Sequence, residues 1–198
     1  MNLKFSYWYF KDALPHKVCS DILKLGLSKT NKSALVGNSK NKDITDKKIR
    51  NSNIAWLDER WIYKAIHPYV YDSNQNSGWN FEWSITENCQ FTIYKKGQFY
   101  DWHQDSHFKP YDSGALQGKI RKLSMTILLN DAKEFKGGDF LFDLTTPKDK
   151  KKNIIKVKEL TTKGSVIVFP SFLWHKVEPV TKGTRYSLVV WNCGNPWQ

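Results

Sequence analysis

Two short stretches of the chain carry residue types that can do chemistry. The first, "YDWHQDS" (100–106), sets His103 and Asp105 two residues apart in an aromatic, strand-like run. Successive strand side chains point to opposite faces, so His103 and Asp105 are expected on one face and Trp102 and Gln104 on the other. An imidazole and a carboxylate side by side can hold a metal ion. They can equally form a surface ion pair, the commoner use of residue types that are mostly exposed. The second stretch, "FPSFLWHKVEPVTKGTRYSLVVW" (169–191), ends one strand at His175, turns through "EPVTKG" and starts a return strand at Arg185. With the turn centred near Val180, His175 and Arg185 are expected as opposite or nearly opposite rungs of a hairpin, roughly 5–8 Å apart on one face.

Period-two alternation puts Arg185, Ser187, Val189 and Trp191 on a common face, with Tyr186, Leu188 and Val190 on the reverse. A guanidinium fork, a hydroxyl and a flat aromatic together suit a carboxylate. A buried arginine without an anion is costly, and the nearest acid in sequence is Glu178. Its partner is therefore either a ligand carboxylate or an aspartate distant in sequence. Two histidines and one carboxylate that leave coordination positions open form the set used by non-haem Fe(II) oxygenases. A zinc hydrolase could use the same ligands, but it would leave Arg185 without a task. Ser124 and Thr126 interrupt the apolar run "RKLSMTILLN" on one alternate face, which fits a face turned toward a wet site. The pair Gly137–Gly138 allows a tight turn or a close backbone approach.

The elements that must position these groups follow from periodicity. "LPHKVCSDILKLGLS" places Val18, Ile22, Leu23 and Leu25 at helical spacing and predicts an amphipathic helix closing near Gly26. "DERWIYKAIHPYVYDSNQ" predicts a second helix with Trp61, Ile62, Ala65 and Ile66 on one side, bent or interrupted at Pro68. From Trp79 onward short aromatic and β-branched runs alternate with Gly, Pro, Asn and Asp signals. Eight or nine such strands predict a mainly β (α+β) fold, a double-stranded β-helix or cupin-like jelly roll with supporting N-terminal helices. The expected organisation is a single domain over 1–198, with 1–78 as helical support and 79–198 as the jelly-roll core.

Bulk properties agree with an ordinary globular chain: 198 residues, 40% hydrophobic, 15% aromatic, and nine tryptophans for a core or an aromatic-lined cleft. Cys19, Cys89 and Cys193 are scattered and odd in number, so reduced thiols and a cytoplasmic setting are expected. No secretory leader or membrane-crossing run is visible, and no membrane partner is expected. The net charge of +12 invites a nucleic-acid reading. The lysines, however, concentrate in two loop-like runs, 29–48 and 147–153, that are more often simply solvated. These loops could form a lid favouring an acidic partner.

The segment from about Gln90 to Asn192 resembles the 2-oxoglutarate/Fe(II)-dependent dioxygenases, in the prolyl-4-hydroxylase-like branch with its bacterial PKHD-type hydroxylases. The likeness runs through "QFTIYKKGQFYDWHQD", "RKLSMTILLND", "KGGDFLF" and "GSVIVFPSFLWHKVEPVTKGTRYSLVVW". It implies His103, Asp105 and His175 as iron ligands and Arg185 as the clamp on the distal carboxylate of 2-oxoglutarate. It further implies Tyr94, Ser124, Ser187 and Trp191 as cosubstrate-pocket residues. The cofactors implied are Fe(II), 2-oxoglutarate and O2, with ascorbate as a candidate reductant. The activity implied is hydroxylation of an unactivated C–H bond, by default of a peptidyl proline, with release of succinate and CO2. The substrate expected is a peptide, a protein or a small molecule. An AlkB-type nucleic-acid dealkylase, the alternative within the fold, would want a further arginine soon after Arg185, and residues 186–198 contain none. A jelly-roll binding module that had lost its iron would have no reason to keep all four groups. Trp102, Trp174 and Trp191 are expected to keep the site dry. His16 and His67 receive no role, and His107 lies close enough in sequence to touch substrate.

Overall fold

The computed structural model describes residues 3–35, 49–106 and 109–197. In chain order its elements are β1 (Trp8–Phe10), α1 (His16–Leu35), β2 (Arg50–Asn51), β3 (Asn53–Leu57), α2 (Arg60–Asn76), β4 (Ile85–Thr86), β5 (Cys89–Lys95), β6 (Phe99–His103), β7 (Ile120–Leu128), β8 (Phe135–Gly137), β9 (Phe140–Asp143), β10 (Ile154–Lys156), β11 (Val166–Pro170), β12 (Trp174–Val177) and β13 (Val180–Gly194). The strands form two antiparallel sheets. The larger runs β1-β11-β7-β13-β5-β3, with β4 and β8 also paired to β13; the smaller runs β10-β9-β12-β6-β2. This is the expected jelly roll.

Alternation divides the large sheet into two chemically distinct faces. Phe91 and Ile93 of β5, Leu123, Met125 and Ile127 of β7, Val166 and Val168 of β11, and Leu188 and Val190 of β13 pack with Cys19 and Ile22 of α1 and Ile62, Ile66 and Val70 of α2. The opposite face, turned to the small sheet, supplies Tyr94, Leu128, Ile167 and Phe169 to a second cluster with Phe140, Phe142 and Val177. That inner face also carries buried Gln90, Thr92, Ser124, Thr126, Arg185 and Ser187. A half-polar inner wall must serve something other than packing.

Both helices differ from expectation. Helix α1 continues nine residues past Gly26 to Leu35. The glycine is there for packing, because a Cβ at that position would collide with the Phe91 ring. Helix α2 runs unbroken through Pro68. The buried stripe Ile62, Ile66 and Val70 holds it against the large sheet, offsetting the missing proline N–H. Trp61, expected on the packed side, is 39% exposed.

The N-terminal third is not purely helical support: β1 and β3 form the two ends of the large-sheet path, and β2 edges the small sheet. The hairpin reading of 169–191 is also corrected. β12 pairs with β6 and β9 in the small sheet, whereas β13 pairs with β5 and β7 in the large one. "EPV" therefore carries the chain from one sheet to the other. His175 lies opposite His103 and Phe142, and Arg185 lies opposite Tyr94.

Candidate metal centre and cosubstrate pocket

His103 closes β6 and His175 sits on β12, and the two are direct partners across the small sheet. Asp105 is not on the strand as expected. The chain has left β6 after His103, and the Asp105 and Ser106 N–H groups both donate to the Ser171 carbonyl, at 2.9 Å each. The bend still brings the carboxylate to the two rings. One donor atom from each of His103, Asp105 and His175 lies within 4.8 Å of the others.

The donor set is arranged for a cation. Nδ1 of His103 donates to the Asp101 carbonyl at 2.7 Å, and Nδ1 of His175 donates to the Leu173 carbonyl at 2.8 Å. A carbonyl only accepts, so in each neutral ring Nε2 keeps its lone pair. Those Nε2 atoms stand 3.7 Å from Asp105 Oδ1 and 3.5 Å from Oδ2, too far for hydrogen bonds. Burial, with the neighbouring His175, pushes His103 down to about 3, so its ring is neutral and free to ligate. Burial opposes ionisation of Asp105, but His175, His103, Arg121 and the Ser124 hydroxyl outweigh it and hold the carboxyl below its ordinary value. Two imidazoles whose Nδ1 atoms are taken up by carbonyls and one carboxylate, all oriented by partners of their own, fit a divalent ion such as Fe(II).

Facing the triad from the large sheet is Arg185, 2% exposed. Its Nη1 donates to Ser187 Oγ at 3.0 Å, and its guanidinium lies 5.7 Å from the Tyr94 ring centre. None of the ion pairs among the described residues involves it. Burial lowers its affinity for the proton, Tyr94 and Asp139 oppose this, and the group keeps its charge. Among the described residues, the structural ion pair with a distant aspartate is therefore not formed. Triad and arginine line one pocket with Tyr94, Thr126, Ser187 and Trp191. The Trp191 indole N–H is buried there without a partner. Gly138 adopts a left-handed φ of +65° and lies so near Arg185 that a Cβ would stand 3.0 Å from Cδ.

Other expected residues lie elsewhere. Ser124 is under Asp105, to whose Oδ2 it donates at 2.7 Å. Trp102 is on the outer side of the small sheet beneath Lys176, and Trp174 is 49% exposed, so of the three tryptophans Trp191 alone lines the pocket. His107 and residues 36–48 of the first lysine-rich run are outside the described residues. Lysines 148 and 150–152 are exposed on the β9–β10 connection. His67 accompanies Thr86, and all three cysteines are buried and unpaired.

Sequence reasoning missed four groups. Tyr100 stacks on His103, with ring centres 3.4 Å apart. Arg50 lies over Tyr100 at 4.7 Å, its Nη2 buried and unpartnered. Gln90 lines the pocket and donates to Thr92. Glu87 receives a bidentate bond from Arg121 (2.6 and 2.7 Å), whose guanidinium covers the Trp191 ring at 3.8 Å. Tyr100 was not legible, because alternation puts residues three apart on opposite faces of a strand, and it is the register shift in the β6–β12 pairing that brings its ring to His103. Nor was Arg50, since nothing local ties residue 50 to residue 100.

Residues 89–193, just over half of the chain, match the sequence profile of the 2OG-Fe(II) oxygenase superfamily. The chain is 32% identical over 101 residues to a PKHD-type hydroxylase of Rippkaea orientalis, covering 51% of this chain and 40% of that one. It is 33% identical over 106 residues to another from Thermosynechococcus vestitus, again covering 51% and 40%. The chain thus spans about two fifths of the length of these relatives. Among solved structures, its fold is similar to that of the viral collagen prolyl hydroxylase of Paramecium bursaria Chlorella virus-1 in complex with 2OG. That match has a TM-score of 0.65 and 20% identity, covering 96% of this chain and 97% of that one. It is also similar to a Pseudomonas putida prolyl-4-hydroxylase, with a TM-score of 0.64 and 20% identity, covering 96% and 92%.

Proposed function

The chain belongs to the 2OG-Fe(II) oxygenase superfamily, and from that premise we propose that it hydroxylates an unactivated C–H bond, by first preference of a prolyl residue in a peptide or protein. One atom of O2 would enter the substrate as hydroxyl and the other would enter succinate, with CO2 released from 2-oxoglutarate. The observation that carries this reading is the meeting, in one pocket, of the His103–Asp105–His175 set on one wall with a buried, unpaired guanidinium on the other.

His103, Asp105 and His175 would hold the iron. Arg185 would take the distal carboxylate of 2-oxoglutarate, with Ser187 and the Tyr94 phenol as further donors. The bound iron supplies the activation of O2 that no protein side chain can perform. The residues of this chain bind, orient and exclude water. Phe140, Val177 and Val189 make the rest of the pocket wall apolar. The Trp191 ring stands 6.1 Å from that of Trp56, which opens onto an adjacent cleft of about 620 Å³ bounded by Thr86, Glu87, Tyr111 and Leu116. A cleft of that size can take a short stretch of polypeptide. In support of a peptide substrate, a prolyl hydroxylase from Trichoplax adhaerens with a similar fold (TM-score 0.64, 18% identity) is known in complex with a hypoxia-inducible-factor peptide.

The test is metal analysis of anaerobically purified protein, followed by 2-oxoglutarate turnover against a panel of proline-containing peptides. Succinate formation is expected to be iron-dependent and stimulated by at least one peptide. It should be abolished in His103→Ala and His175→Ala, whereas Arg185→Ala should mainly raise the 2-oxoglutarate requirement. Unchanged turnover in either histidine variant refutes the assignment.

A further inference from the structure

Beneath Asp105 lies a pair of buried hydroxyls whose donors run in one direction. Ser124 Oγ is 2.7 Å from Asp105 Oδ2 and 2.9 Å from Ser171 Oγ, and both serines are fully buried. A serine hydroxyl has one proton. An ionised carboxylate can only accept, so Ser124 gives its proton to Asp105. Ser171 must then donate to Ser124. The result is a two-step chain, Ser171 to Ser124 to Asp105, in which each bond polarises the next toward the carboxylate. The same Ser171 grips the acid from the other side, its carbonyl accepting the N–H groups of Asp105 and Ser106. Its own N–H donates to the Lys122 carbonyl at 3.0 Å, which anchors the β11–β12 turn to β7.

We propose that Ser124 and Ser171 are positioning residues for the metal-binding carboxylate, and that Ser124 serves the ion through Asp105 rather than the cosubstrate directly. This rests on the metal centre proposed above. Asp105 needs such help more than the histidines do. Each histidine ring is fixed by a strand and by its own Nδ1 bond. Asp105 stands on irregular backbone past the end of β6, and among the described residues no other hydrogen bond fixes its rotation about Cβ–Cγ. Groups that orient a ligating carboxylate typically change metal affinity 10- to 100-fold when removed.

The experiment is Mn(II) titration of the full chain, with His103→Ala as the reference for a lost centre. Ser124→Ala is expected to weaken Mn(II) binding about 10- to 100-fold, and Ser171→Ala by a smaller factor, because it leaves the last bond intact. The double variant should bind no more weakly than Ser124→Ala, since Ser171's hydroxyl acts only through Ser124. The 2-oxoglutarate KM measured at saturating iron should stay within about twofold of wild type. Circular dichroism at the titration temperature separates these effects from unfolding, and Ser171→Cys, which keeps a weak donor, should recover part of the affinity if it is the chain of donors that matters. Ser124→Ala with unaltered Mn(II) affinity and a raised 2-oxoglutarate KM would place Ser124 in the cosubstrate pocket and overturn the inference. Additive losses in the double variant would overturn the relay. Wild-type protein that binds no Mn(II), or binds it equally well as His103→Ala, would instead bring down the metal centre itself.

Discussion

Arg185 is a cation taken out of water, and among the described residues its side chain has one hydrogen bond, to a hydroxyl. Such a group costs stability unless an anion arrives, and a buried charge replaced by an apolar side chain of similar length often leaves a protein equally or more stable. Arg185→Met is therefore expected to melt no lower than wild type without 2-oxoglutarate, to lose the rise in melting temperature that 2-oxoglutarate gives wild type, and to show a 2-oxoglutarate KM raised more than about tenfold. Melting curves with and without the diacid check this, and a variant that melts well below wild type would mean that the arginine is structural. His67 gives a pH signature. Thr86 Oγ1 donates to Asn192 Oδ1, so it accepts from His67 Nε2, and burial holds the ring below its ordinary value. A histidine whose folded value is depressed contributes stability that is present above about pH 6.5 and lost as the pH falls below it, because the unfolded chain takes up the proton first. Wild type should lose more stability than His67→Gln between pH 7 and pH 5, as read by urea midpoints at the two values. At this scale the triad and Arg185 were legible, since strand-borne histidines and an arginine in an apolar run are anomalies that local sequence displays. Asp105's departure from the strand was not, because the cause is the Ser171 carbonyl, 66 positions away.

Elements were legible where their period was strong. The strands of β5, β7, β11 and β13 follow from alternation and β-branched composition, and their polar inner positions mark the wall of the site. Local rules failed where tertiary contact overrode them. Gly26 was expected to end α1, yet its lack of a side chain is what lets the helix approach the Phe91 ring. Gly26→Ala should thus destabilise the protein by about 1–3 kcal/mol through overpacking, despite the gain of about 1 kcal/mol in helix propensity. A shift of the urea midpoint to lower concentration, with an unchanged slope, would show it; a shift upward would mean that Phe91 yields. The passage from β12 to β13 carries an ordinary turn composition, and composition does not say whether two strands joined by a turn lie in one sheet or two. Only the pairing of β12 with β6 and β9 decides it.

For the whole molecule, the short strands of the first third matter more than their length implies. β1 and β3 end the large-sheet path, β2 edges the small sheet, and the two helices cover the apolar outer face that holds Leu123, Met125, Leu188 and Val190. A fragment of residues 79–198 would expose that face and three unpaired edges. It should be recovered aggregated or without a cooperative unfolding transition, and soluble material that binds Mn(II) like the full chain would contradict this. The two- to five-residue strands 8–10, 50–51 and 53–57 escaped the sequence because they are too short to show a period, and they exist only because a neighbouring strand offers them free hydrogen-bonding groups. The crossing between β12 and β13 also bears on how a catalytic cycle would feel mechanically. A keto-diacid held at one end through an ion on the triad and at the other by Arg185, as proposed above, would be a strut braced between opposite walls of the sandwich. Its arrival would stiffen both walls at once, slowing amide exchange on β6 and β12 together with β5 and β13. Its conversion to a shorter acid without the keto group would unfasten one end, so that consuming the cosubstrate itself loosens the chamber for product to leave.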